Sequence, residues 1–150
     1  MNALHDTPAL SAHGLRVRLD TAEVLHGVDL GLLRGRWTSI VGPNGAGKSP
    51  LLPELAGLLP HAVMAAGSVE LMGQSLAAYP GKARARLLSW LGQSQRSAED
   101  LTVWDVAMLG RLPHQPWLAT ASAADHAAVE QALRATQAWE WRARPLGQLY

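Results

Sequence analysis

One stretch, Gly42–Ser49, constrains this chain more strongly than any other. It matches the pattern G-x-x-x-x-G-K-[ST], in which glycines allow the backbone to wrap closely around phosphate groups. A helix that follows such a loop points its unpaired N–H groups and its partial positive charge at the same anion. The pattern therefore predicts a nucleotide-binding loop formed by Gly42, Pro43, Asn44, Gly45, Ala46, Gly47, Lys48 and Ser49.

Two side chains of this loop have distinct chemical roles. Lys48 would place a full positive charge on the β- and γ-phosphates of a nucleotide, and the Ser49 hydroxyl would ligate Mg²⁺. The preceding segment, Trp37–Val41, has the composition of a short buried strand, and the leucines after the loop predict a helix with one apolar face. Because strand, loop and helix is the order that the motif requires, we favour nucleotide binding over an ordinary glycine-rich turn.

The composition narrows the possible classes of function. Of the 150 residues, 48% are hydrophobic, which is enough for the packed core of one domain or of part of one. The formal net charge is +1 and the Lys and Arg residues do not cluster, which argues against a nucleic-acid partner. The chain contains no cysteine, so disulfides and thiolate metal sites are excluded.

No secretory or membrane-spanning segment is predicted. The N-terminus lacks the basic-then-apolar order of a signal peptide. The longest apolar stretch, Leu51–Gly67, is interrupted by Pro53, Glu54, Pro60 and His61, and is a poor candidate for a membrane span. We therefore expect any association with a membrane to run through a partner protein.

The order of the remaining patterns outlines the fold. Residues 1–12 show no periodicity and are expected to form a loose leader, which leaves residues 13–150 as the structured region. The rest of the chain predicts strands and a short basic helix. The strands are expected within Gly14–Leu19, Val24–Leu30, Trp37–Val41, Gly67–Gly73 and Leu88–Leu91, and the helix at Lys82–Leu87.

Two later helices carry recognisable start signals. Thr102 with Asp105, and Ser122 with Asp125, have the spacing of an acidic capping box, in which side chain and backbone at the first turn bond reciprocally. Trp139 and Trp141 follow the second helix and are expected to anchor its core.

Together these features resemble the ATP-binding subunit of an ABC transporter, and in particular the importers of ferric siderophores, haem and cobalamin. Trp37–Ser49 and Leu101–His114 carry the resemblance, which continues through Ser122–Leu149. The fold class that it implies is α/β, a P-loop NTPase core of the ABC type with an antiparallel β subdomain and the start of a helical subdomain. The structured residues 13–150 would be the N-terminal portion of such a domain, which is incomplete.

The resemblance also implies a site and partners. Gln93 occupies the position of the family's Q-loop glutamine, whose carboxamide reaches Mg²⁺ or the attacking water. The implied cofactors are ATP and Mg²⁺, and the implied partners are a second ATP-binding subunit and a membrane permease that contacts Ser94–His114. The expected location is the cytoplasmic face of the inner or plasma membrane, where the complete subunit couples ATP hydrolysis to uptake.

Three residues depart from the family pattern. The family has threonine where this chain has Pro50, which lacks a hydroxyl and an N–H; losing one hydrogen bond to a charged group costs about 1.5–3 kcal/mol. Pro53 removes a helical N–H directed at the Ser49 carbonyl, at a cost of up to about 3 kcal/mol. Leu19 stands where many members have an aromatic residue that stacks on adenine.

The largest departure concerns the motifs that complete hydrolysis. In the family the signature Ser-Gly-Gly motif, the acidic strand, the catalytic glutamate and the switch histidine would follow Tyr150. A phosphate cradle alone does not hydrolyse ATP, so we do not expect hydrolysis from these 150 residues by themselves. Two alternatives stay open: a non-catalytic remnant that acts as a binding module or has no function, and another phosphate-loop NTPase.

Overall fold

The first part of the chain is built on an antiparallel sheet of four strands. The computed structural model describes residues 8–59, 62–92 and 100–149. Its strands pair in the order β2-β1-β3-β4, and every pairing is antiparallel. The strands are β1 (Pro8–Leu19), β2 (Ala22–Leu33), β3 (Ala62–Leu71) and β4 (Gln74–Ser75).

Four helices and four short 3₁₀ turns complete the described elements. The helices are α1 (Lys48–Leu55), α2 (Gly81–Leu87), α3 (Val103–Leu109) and α4 (Ala123–Ala135). The 3₁₀ turns lie at Leu76–Ala78, Leu112–His114, Trp139–Trp141 and Leu146–Gln148. The chain divides into two compact units, Met1–Trp90 and Leu91–Tyr150, of which the first contains the sheet and the second contains α3 and α4. Within the described residues, no helix is both long and apolar enough to span a bilayer.

A bulge in β1 changes which side chains face the core. The register with β2 shifts between Ala12 and Leu15, and the Gly14 N–H donates to Asp29 Oδ1 at 2.8 Å. An extra residue in one strand reverses the faces of the residues that follow it. The buried positions accordingly change from even to odd along the strand, at Leu10, Ala12, Leu15 and Val17.

The core of the first unit joins this sheet to α1. Leu51 and Leu55, one helical turn apart, are both buried in the cluster formed by the sheet. Burying a leucine contributes about 1.5–3 kcal/mol, so these two residues hold the short helix in place. The helix ends as the sequence predicts, because Gly57 has a φ of 64° and its N–H donates to the Glu54 carbonyl at 2.8 Å.

Two predicted core strands are absent from the structure. Trp37–Val41 and Leu88–Leu91 have no strand conformation, and the exposed fractions of Trp37, Val41 and Leu91 are 94%, 88% and 81%. A strand exists only where a neighbour satisfies its backbone groups. The one sheet in the described part of the chain does not extend to either segment, so apolar composition alone gave the wrong prediction.

The expected leader is shorter than predicted. Pro8–Ala12 belong to β1, where Pro8 lies opposite Leu33 and Leu10 lies opposite Leu71 on the other side. The sequence prediction for residues 8–12 was wrong. This segment has no clear periodicity, but β1 pairs with β2 on one edge and with β3 on the other, and this pairing orders it. Residues 1–7 lie outside the described part, and the single structured region 13–150 stays a prediction.

The second unit is organised by the two predicted capping boxes, which the structure confirms. The Asp105 N–H donates to Thr102 Oγ1 at 3.1 Å, and the Asp125 N–H donates to Ser122 Oγ at 3.2 Å. The helices then bury Val103, Val129 and Leu133 in one small core. The chain end is held to the start of α3, since the Leu146 N–H donates to the Leu101 carbonyl at 2.9 Å.

Asp125 makes the second unit sensitive to acid. Hydrogen bonds from Ser122, together with one from Arg111 Nε to Oδ1 at 2.9 Å, lower the pKa of Asp125 from 3.8 to about 2. Because the folded-state pKa is depressed, this stabilisation is present above the ordinary pKa and is lost as the pH falls through the folded-state value.

We therefore expect the stability of the second unit to fall between pH 4 and pH 2, measured by denaturant unfolding at each pH. Asp125→Asn should lower stability at neutral pH and flatten this dependence. A variant with the same slope as the parent chain would contradict the assignment.

Candidate functional site

The Gly42–Ser49 loop leads directly into α1. The helix begins at Lys48, and Gly47 caps it with a left-handed φ of 79°. Gly45 is also left-handed, with a φ of 84°, whereas Gly42 is not. The turn is closed by the Ala46 N–H, which donates to the Pro43 carbonyl at 3.3 Å.

Gly47 also allows the loop to approach the sheet. A Cβ at this position would lie 2.8 Å from the Val24 carbonyl oxygen and 3.0 Å from Leu25 Cδ2. Any larger residue would both strain the left-handed backbone and push the loop away from β2. The motif has a glycine at this position, but only the structure shows that β2 supports the loop. No local sequence signal connects Val24 with Gly47.

The Lys48 ammonium group lies over its own loop. Nζ donates to the carbonyls of Gly42 and Pro43, each at 2.6 Å. The first turn of α1, residues 48–51, contains no acidic side chain, so nothing within it offsets the positive end of the helix dipole. The loop therefore concentrates a full charge and a partial charge at one place, as an anion site requires.

Ser49 is the second residue of the helix and is exposed. Its hydroxyl oxygen makes no hydrogen bond to any residue in the described ranges, so it is available to a ligand. A hydroxyl is an oxygen donor of the kind that Mg²⁺ prefers. No group of three or more His, Cys, Asp or Glu residues that could hold a metal occurs in the described part of the chain. A magnesium ion at Ser49 would therefore depend on the phosphates of the nucleotide for most of its coordination.

The helix accommodates both prolines at different costs. Pro50 is the third residue of α1, where an N–H would have no partner within the helix. The helix is therefore unaffected, while a potential phosphate donor is lost. Pro53 lies inside the helix, which extends only to Leu55. The missing bond from residue 53 to the Ser49 carbonyl weakens the turn that carries the loop.

Two other residues named in the sequence analysis concern the nucleotide site. Gln93 lies outside the described residues. Leu19 is the last residue of β1, next to the tight turn at Asp20, whose φ is 52°.

The second unit presents an aromatic and cationic surface that sequence patterns did not reveal. Trp139 is covered by the guanidinium groups of Arg134 and Arg142, which lie 4.4 Å and 4.3 Å from its ring centroid. Trp104 meets its edge at 6.3 Å between ring centroids. The predicted core role of Trp139 is confirmed, whereas Trp141 is 46% exposed and does not anchor the core. Arg134 lies five residues before Trp139 and Arg142 lies three residues after it. This spacing is a weak sequence signal that could have indicated the stack.

Trp104 and Trp139 also line a shallow cavity of about 500 Å³ within the second unit. Its other lining residues are Thr102, Asp105, Arg142 and Ala143.

Comparison with known proteins identifies the family. A profile described as ABC transporter matches residues 25–149, most of the chain and all of the loop. The chain belongs to the ABC transporter family. The resemblance noted in the sequence is therefore confirmed, as is its assignment to proteins named for hemin and siderophore import.

Individual relatives of this ABC protein carry specific names. The hemin import ATP-binding protein HmuV of Pseudomonas entomophila is 41% identical over 129 residues, covering 86% of this chain and 48% of the relative. The ferric enterobactin transport ATP-binding protein FepC of Escherichia coli is 39% identical over 102 residues, covering 68% of this chain and 36% of the relative. The chain thus spans at most about half the length of these two relatives.

Solved structures confirm the ABC fold class. A nucleotide-free ATP-binding cassette from an ABC transporter superposes with a TM-score of 0.77 at 19% identity. The superposition covers 95% of this chain and 59% of that one. The antiparallel sheet, the loop and the helices described above are therefore a partial ABC domain, as the sequence predicted.

Proposed function

We propose that this chain is the N-terminal part of the ATP-binding subunit of an ABC importer for iron-siderophore complexes, haem or cobalamin. The observation that supports the proposal is the loop itself, in which Lys48 and the start of α1 concentrate positive charge within a glycine-rich turn. The names of the relatives, which refer to hemin and to ferric enterobactin, support haem and iron-siderophore complexes as the cargo.

The loop residues would bind the nucleotide through its phosphates. The backbone of Gly42, Gly45, Ala46 and Gly47 would cradle the phosphate oxygens, and Lys48 would exchange its two carbonyl partners for them. This exchange is favourable because an anion replaces neutral dipoles around a full positive charge. Ser49 would hold Mg²⁺, which would neutralise charge on the phosphates, and Gln93 would respond to the γ-phosphate.

Hydrolysis would belong to the assembled transporter and not to these residues alone. The described residues supply a cradle, whereas phosphoryl transfer also needs a group that positions water and a clamp on the transferring phosphate. We propose that a second ATP-binding subunit and a membrane permease complete the machinery at the cytoplasmic face of the membrane. The half-buried side chains of Trp104 and Arg142, which line the cavity of the second unit, would offer apolar contact and charge to such a permease.

Calorimetric titration of the full chain with ATP and Mg²⁺ tests the proposal. We expect weak binding, because Pro50 removes one donor, and its complete loss in Lys48→Ala. Lys82→Ala is the matched control, since it removes the same charge from α2. Equal loss in both variants would mean that Lys48 acts only through net charge, and would contradict a specific phosphate site.

A second candidate is a non-catalytic remnant, which both prolines favour: Pro50 removes a potential phosphate donor, and Pro53 weakens the helix that carries the loop. The two candidates differ in whether the longer protein would hydrolyse ATP. The reading frame that encodes the residues after Tyr150 distinguishes them: an ABC signature and acidic strand support an importer ATPase, and unrelated sequence supports the remnant.

A further inference from the structure

The first unit contains a small cavity at the C-terminal end of α1, whereas the phosphate loop precedes the N-terminal end of the same helix. It has a volume of about 260 Å³ and lies among the end of α1, β3, the β4 turn and α2. Its apolar floor includes Val69 and Leu76, which are 4% and 6% exposed. The volume falls just below the range of about 300–1,000 Å³ typical of drug-sized ligand pockets, so any ligand would be small.

Two opposite charges line this cavity without pairing. Glu54 enters from α1 and Arg84 from α2. Across residues 8–59, 62–92 and 100–149, neither side chain has an ion pair or side-chain hydrogen bond. Partial burial without a compensating partner is unfavourable for a carboxylate, and it raises the pKa of Glu54.

Small residues complete the lining of the cavity. Ser68 and Ser75 are among them, together with Gly57, Gly67 and Ala77. The Arg84 guanidinium lies against the backbone of Gly57, where an added Cβ would approach Nη1 to 2.7 Å. Gly57 therefore leaves the space that the guanidinium occupies, and a side chain there would displace it.

We propose that this cavity binds a small zwitterion of the size of a free α-amino acid, with its ammonium group at Glu54 and its carboxylate at Arg84. A guanidinium can hold a carboxylate through two parallel hydrogen bonds, and a carboxylate accepts from an ammonium group. A simple anion would be repelled by Glu54, and a simple cation by Arg84. A ligand with both charges satisfies the two partly buried groups together.

Calorimetric titration of the full chain with glycine, L-alanine and L-glutamine tests this site. We expect saturable binding of at least one of them. Propionate and ethylammonium, which carry the two charges of L-alanine separately, should bind at least about tenfold more weakly, because each lacks one charge-assisted contact. No saturable binding of any amino acid, or equal binding of propionate, would overturn the proposal.

Substitutions separate the cavity from general charge effects. Glu54→Gln and Arg84→Gln should each weaken amino-acid binding about tenfold or more, and Arg84→Lys should lose less because it keeps the charge. Glu140→Gln and Arg36→Gln remove the same charges elsewhere and should bind like the parent chain. Circular dichroism verifies that each variant is folded. Unchanged binding in folded Glu54→Gln and Arg84→Gln would overturn the assignment.

Discussion

Gly67→Ala is expected to lower the free energy of unfolding of the first unit by about 2–5 kcal/mol, since left-handed backbone strain costs about 1–2 kcal/mol and overpacking about 1–3 kcal/mol. Gly67 lies in β3 with a φ of 94°, opposite the bulge in β1. An added Cβ would lie 2.6 Å from the carbonyl oxygens of both His13 and Gly14. Those atoms are backbone, so the clash cannot be relieved by rotating a side chain.

Gly73→Ala provides the matched control for this substitution. Gly73 has a φ of 77°, but an added Cβ would meet no atom within 4 Å. Only the left-handed strain of about 1–2 kcal/mol is then expected. Urea unfolding followed by circular dichroism measures both losses. If the two variants lost equal stability, the close approach of β3 to the bulge would not be what requires glycine at position 67.

Pro50→Thr is expected to tighten binding of ATP and Mg²⁺ about ten- to a hundredfold, because it restores a backbone donor to a charged ligand. The position is in the first turn of α1, so threonine can be accommodated without changing the helix. Calorimetric titration of the variant and the parent chain measures the change.

Two further variants divide the effect of Pro50→Thr into its parts. Pro50→Ala restores the N–H without the hydroxyl and should recover most of the gain if the backbone donor dominates. Pro53→Ala repairs the helix interior and adds no donor to the phosphate site, so it should raise stability more than affinity. If Pro50→Thr bound ATP no more tightly than the parent chain, the missing donor at position 50 would not limit the site.

Local sequence signals predicted the parts of this fold that depend on neighbours in the chain. The loop conformation at Gly45 and Gly47 and both capping boxes follow from short-range geometry, and they were predicted correctly. The strand at Trp37–Val41 was not, because strand formation depends on a partner that composition cannot specify.

Around the candidate site, too, the local features were predictable from the sequence and the contacts between distant residues were not. The motif predicts Lys48 and Ser49 as site residues, but the support of their loop by β2 comes from a contact between Gly47 and Val24, more than twenty residues apart in sequence. The stacking of two arginines on Trp139 likewise depends on how α4 and the following turn fold back on each other. The contact between Gly47 and Val24 has no local sequence pattern, and the spacing of the arginines about Trp139 is only a weak one.

The contact between Gly47 and β2 would couple the proposed phosphate binding to the folding of the sheet. Because the loop rests on the Val24 carbonyl, local opening of β2 would remove the support that fixes the cradle. A bound nucleotide would then slow amide hydrogen exchange along β2 as well as in the loop. The rigidity of the sheet would then determine how far the loop is preorganised for its ligand.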